Sequence, residues 1–115
     1  MPASAVLCLI TAPPADAEKV ATAIVERELA ACVNIAPLVQ SIYRWQGAVQ
    51  RDQESLLLVK TTSSSVSALE RLLEQIHPYD TFELLALDVT AGSAPYLEWI
   101  AASTLPLNED GPGSA

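Results

Sequence analysis

The chain is predicted to fold as an α+β domain, a split βαβ arrangement built on one four-stranded antiparallel sheet. Three observations predict it. Apolar residues follow strand-like runs in four segments and helical spacing in two, in the order strand, helix, strand, strand, helix, strand. Gln46-Gly47 divides the longest extended stretch into two arms, as a tight hairpin turn would. Prolines at 13, 14 and 78 stand where the periodicity changes. With 115 residues, one domain is expected over residues 1–104, followed by a flexible tail over 105–115 rich in Pro, Gly, Asn, Glu and Asp.

Val6 to Thr11 is a nearly continuous apolar run, expected as a central strand buried on both faces. Pro13-Pro14 ends it. A helix is expected from Asp16, which would cap it, with Ala17, Val20, Ala21, Ile24, Val25 and Leu29 on the buried face. Cys32 to Ile35 leads through Pro37 into a strand ending at Trp45, and the return arm runs from Ala48 to Thr61. Its first part is polar (Gln50 to Glu54) and its second apolar (Leu56 to Val59), so the hairpin should project beyond its own core.

Ser63 to Ser65 offer caps for a second helix, with a capping box from Ser67 and Glu70 if it starts later. Val66, Leu69, Leu72, Leu73 and Ile76 form its buried stripe, and Pro78 stops it. Glu83 to Thr90 is the last expected strand, and Ser93-Ala94-Pro95 opens a short helix ending at Ser103. Right-handed crossovers then place both main helices on one face of the sheet, the ferredoxin-like arrangement. The strands are apolar on the other face as well. Leaving that face wet would forfeit roughly 25 cal/mol per Å², so self-association is expected.

Half of the residues are hydrophobic and 17% charged, with 14 acids against 6 bases and a formal charge of -8. Such an acidic chain without a basic stripe argues against a nucleic-acid partner. The N-terminal run lacks the basic residues of a signal peptide, and no stretch is long enough to span a bilayer. Cys8 and Cys32 form no disulfide framework and no Cys-x-x-Cys pair. A soluble cytoplasmic protein is expected, without a membrane partner.

The densest set of functional groups surrounds the single histidine, in His77-Pro78-Tyr79-Asp80-Thr81-Phe82-Glu83. Pro78 forces His77 out of helical geometry. Its imidazole can serve as a metal ligand completed by Glu83 or Asp80, since imidazole with carboxylate suits zinc or copper(II). It can equally cap carbonyls at a rigid corner. Cys32 beside Asn34, with His77 as base, would make a thiol nucleophile if the fold brought them together. Tyr43, Trp45, Tyr79, Tyr96 and Trp99 are candidates for a cleft or a subunit interface, Trp45 above all. Lys60 could bind an anion or pair with Glu54 or Glu83.

Leu29-Ala30-Ala31-Cys32-Val33-Asn34-Ile35, Ser41-Ile42-Tyr43-Arg44-Trp45-Gln46-Gly47, Glu54 with Lys60-Thr61-Thr62, His77-Pro78-Tyr79 with Glu83-Leu84, and Tyr96-Leu97-Glu98-Trp99-Ile100 together resemble the CutA divalent-cation tolerance family. The resemblance runs from about Val6 to Ser103. It implies a ferredoxin-like subunit in a homotrimer and an association with copper or other divalent cations; no catalytic activity is expected. The family's metal-site histidine falls on His77 and its acid on Glu83. Its first-strand cysteine position is Ile10, its second histidine position is Ile76, and Phe82 stands where proline is usual. A second reading keeps the trimer but makes it a small-ligand-binding signalling or scaffold protein, by analogy with the nitrogen-regulatory PII-type trimers.

Overall fold

Ala5–Ala12 forms strand β1, in which Val6, Cys8, Ile10 and Ala12 are buried, as is Thr11, while Ala5, Leu7 and Leu9 are only partly so. The computed structural model describes residues 4–105; the start of the chain and the expected tail from 106 onward lie outside them. Helix α1 spans Pro14–Glu26, strand β2 Cys32–Trp45, β3 Ala48–Thr62, helix α2 Val66–Ile76, β4 Leu85–Asp88 and helix α3 Ala94–Ser103. The sheet order is β2-β3-β1-β4, and every pairing is antiparallel. The expected α+β order is therefore the observed one.

Alternation along the strands divides the sheet into two unlike faces. Val6, Cys8 and Ile10 meet Leu57 and Val59 on the face that α1 and α2 close with Val20, Ile24, Leu69 and Leu73. Leu7, Leu9 and Thr11 register with Lys60, Leu58 and Leu56 on the other face, which Leu85 and Leu87 of β4 extend. The expectation of a first strand buried on both faces holds for one face; on the other, Leu7 and Leu9 stay partly open. Helix α3 packs on β1 and β3 and buries Ile100. Its start follows the sequence reading, with the Ser93 hydroxyl accepting from the Tyr96 amide.

Other boundaries moved for physical reasons. Helix α1 begins at Pro14, ahead of Asp16, because a proline at the first position has its φ preset and no amide left unpaired. Asp16 sits in the first turn and provides no side-chain cap. Val25 has turned out of the buried stripe and is 40% exposed. Ser63–Ser65 makes a 3-10 turn that feeds directly into α2, so the Ser67/Glu70 box is not the start. Strand β4 is shorter than expected because it pairs only with Val6 to Leu9, at the sheet edge. Leu105, expected to fray, donates its amide to the Glu28 carbonyl at 2.7 Å.

The hairpin outgrows the sheet. β1 reaches only as far as Ser55 on β3, so Ala48 to Glu54 pairs with β2 alone. The turn residues Gln46 and Gly47 both have positive φ, 50° and 82°, matching the twist of a two-residue hairpin. A shift in register between Ala36 and Val39 accommodates Pro37, whose carbonyl accepts from the Ser55 hydroxyl at 2.8 Å. The molecule is accordingly elongated, 45 × 30 × 24 Å.

Candidate functional site

His77 ends α2 with extended backbone angles (φ -75°, ψ 137°), as a residue before proline should. Its ring is buried, 8% exposed, and both nitrogens are engaged. Nδ1 accepts from the Tyr79 amide at 3.1 Å, which fixes the proton on Nε2, and Nε2 donates to the Thr11 carbonyl at 2.8 Å. Phe82 stacks on the ring at 5.2 Å and Tyr79 tilts against it at 5.0 Å. The imidazole thus ties the end of α2 to β1 and sets the course of the loop that follows.

That loop crosses the open face at the base of the hairpin. The Tyr79 hydroxyl reaches β3 and donates to Glu54 Oε2 at 3.1 Å. Glu54 is the one acid of the hairpin that is buried, 7% exposed, while Arg51, Asp52 and Gln53 before it face solvent. Burial and the neighbouring Glu54 carboxylate push the Tyr79 phenol up to about 12. Farther out, Tyr43 donates to Asp52, and this bond pushes its phenol above the usual tyrosine range.

Between loop and hairpin lies a cavity of about 600 Å³. Thr11 and Glu54 lie at its sheet side, Tyr43 and Trp45 come from the hairpin, and Tyr79, Asp80 and Glu83 from the loop. The structure thus places Glu83 at the cavity and His77 behind its wall, holding the loop. Among the described residues, no three His, Cys, Asp or Glu side chains converge where one ion could sit.

The other candidates lie elsewhere. Cys32 pairs with Lys60, which is opposite Leu7, whereas His77 bonds to Thr11. Leu7 and Thr11 are about 13 Å apart along the strand, so thiol and imidazole are not partners. Lys60 donates to Asn34 and approaches the Cys32 sulfur at 3.8 Å rather than pairing with Glu54 or Glu83. Cys8 is a core residue, 0% exposed, and burial raises its thiol to about 11. Tyr96 and Trp99 pack together on α3 at 5.5 Å, outside the cavity.

A family model described as CutA1 divalent ion tolerance protein matches residues 6–103. The chain belongs to the CutA1 family. It is 48% identical over 97 residues to the divalent-cation tolerance protein CutA of Thermus thermophilus, covering 84% of this chain and 94% of that one. Mouse protein CutA is 40% identical over 112 residues, 96% of this chain, and the chain spans 63% of that protein's length. The crystal structure of CutA1 from Oryza sativa superposes with a TM-score of 0.88 at 38% identity, covering 91% of this chain and 97% of the other.

Within the CutA1 fold, Ile10 is sealed in the core at 0% exposure and Ile76 packs against it, so neither apolar residue at those family positions reaches the cavity. Phe82 supplies the face that stacks on His77. Sequence reasoning missed Glu54 and Thr11 as site residues. The signal for Glu54 was its place as the last acid before an apolar run, at the point where the hairpin leaves the sheet.

Proposed function

We propose that this chain is a homotrimeric cytoplasmic protein that binds divalent cations, copper foremost, and contributes to metal tolerance without catalysing a reaction. The observation that carries the reading is the placement of Glu83 at an acidic cavity, on a loop whose course His77 sets. His77 and Glu83 are the proposed ligands. Glu83 offers its carboxylate directly. His77 would coordinate through Nδ1 once the Tyr79 amide is released, a bond worth about 1 kcal/mol, small against imidazole–copper(II) bonding. The remaining donors would come from a neighbouring subunit.

Assembly is supported by the exposed apolar residues Leu38, Ile42, Leu85 and Leu87, which one chain leaves wet. The unpaired cysteines suit a reducing compartment, and no helix among the described residues is long and apolar enough to cross a membrane. Titration calorimetry with copper(II) and zinc tests the ligands. Glu83→Gln should lower affinity about ten-fold or more, and His77→Ala should do the same; equal heats for wild type and His77→Ala remove His77 from the ligand set. The cavity volume favours a second reading, a trimer that binds a small organic ligand for signalling.

A further inference from the structure

The cavity is larger than any bare ion requires, and about 600 Å³ lies within the range of small-molecule sites. Its chemistry is specific. Glu54 is more than nine-tenths buried, and its Oε2 is held by Tyr79. Oε1 has no partner among the described residues, yet no buried side-chain oxygen there is left unsatisfied and sealed from access. One acceptor of an otherwise enclosed carboxylate therefore remains open at a cavity that Glu54 itself lines. An ordered carboxylate in that position favours a ligand with N–H donors and positive charge.

The walls agree. Tyr43, Trp45 and Tyr79 line the same space, and a cation over the face of an aromatic ring is attracted by its quadrupole. Asp80 and Glu83 add two further carboxylates, and no Lys, Arg or His is among the described residues lining the cavity. These acids are not gathered around one point, so a single small ion cannot satisfy them together. A flexible ligand carrying separated positive charges can.

We propose that the cavity binds an aliphatic diamine or polyamine. One ammonium donates to Glu54 Oε1, the methylene chain lies along Tyr43 and Trp45, and the second ammonium is drawn to Asp80 and Glu83. This deepens the small-ligand reading and rests on it; a metal bound through Glu83 would compete with the second ammonium.

The test is titration calorimetry of the full chain, in the assembly it forms, with 1,4-diaminobutane, spermidine and n-butylamine at matched ionic strength. The diamine should bind at least about ten-fold more tightly than the monoamine, and Glu54→Gln should weaken it by about ten-fold or more. Asp80→Asn and Trp45→Leu alter exposed side chains and should each weaken it less; they carry the test if Glu54→Gln does not fold. Absence of heat with both diamine and spermidine, as when a basic side chain of a second copy already fills the cavity, overturns the proposal. So does equal affinity for n-butylamine, or unchanged binding in the variants. Copper(II) and zinc titrations on the same samples report the metal reading separately, since diamine binding that persists without metal heats supports this proposal and removes only the other.

Discussion

The two faces of the sheet contain similar residues and have opposite fates. On the helix-covered face Cys8, Ile10, Leu57 and Val59 are fully buried beneath α1 and α2. On the other, Leu7, Leu9 and Leu58 are partly open, and Leu85 and Leu87 are 56% and 46% exposed. Hydrophobicity by itself therefore does not tell which face a single chain can hide. One face is completed within the chain, and the other offers apolar surface and an acidic cavity to something outside it.

The comparison is sharpened most by a pair of leucines. Leu57→Ala, on the closed face, should cost about 2–5 kcal/mol in denaturant unfolding, because it leaves a cavity among packed neighbours. Leu87→Asp, on the open face, should leave the subunit fold intact by circular dichroism and instead break the assembly. A large stability loss at Leu87 in an isolated chain would show that the faces are not distinct.

His77→Ala comes next. It removes two hydrogen bonds and the Phe82 stacking surface while leaving the Thr11 carbonyl and Tyr79 amide without partners, at a cost of about 2 kcal/mol. Thermal or denaturant unfolding measures it directly. A neutral effect on stability would deny His77 its role in holding the loop, and with it the reason the cavity has a wall.

The smallest effect is a titration. The Tyr79 phenol is raised from 10 to about 12 in the folded chain, so its contribution to stability is complete below pH 10 and lost as pH rises through 12. Absorbance at alkaline pH should show a late-ionising tyrosine that disappears in Tyr79→Phe. Loss of only an ordinary tyrosine titrating near 10 in that variant would mean that the Tyr79 phenol is neither buried nor held by Glu54.

Most of the fold was legible because its signals are local. Helix α2 follows from Leu69, Leu72 and Leu73 at helical spacing and from Pro78 at its end, and the hairpin turn follows from Gln46-Gly47. The length of β4 was not local: β1 continues to Ala12, but β4 pairs only with Val6 to Leu9 and the Thr11 carbonyl beyond is taken by His77, which the run Leu84 to Val89 does not reveal. The site divides in the same way. His77 and Glu83 stand out by residue type, but the two partners that occupy the His77 ring are a carbonyl acceptor 66 positions earlier and the Tyr79 amide, which donates to Nδ1 as the loop folds back. Glu54 becomes a site residue only when Tyr79, 25 positions later, covers it. Pairings across such distances leave no periodic trace in a single sequence.

Sedimentation equilibrium of the purified chain at micromolar concentration tests the unlike-faces account most directly. The proposed homotrimer predicts a particle three times the 12.2 kDa chain mass, reduced to a folded single chain by Leu87→Asp. A wild-type chain that sediments as a well-folded monomer, with Leu85 and Leu87 left in water, would contradict it.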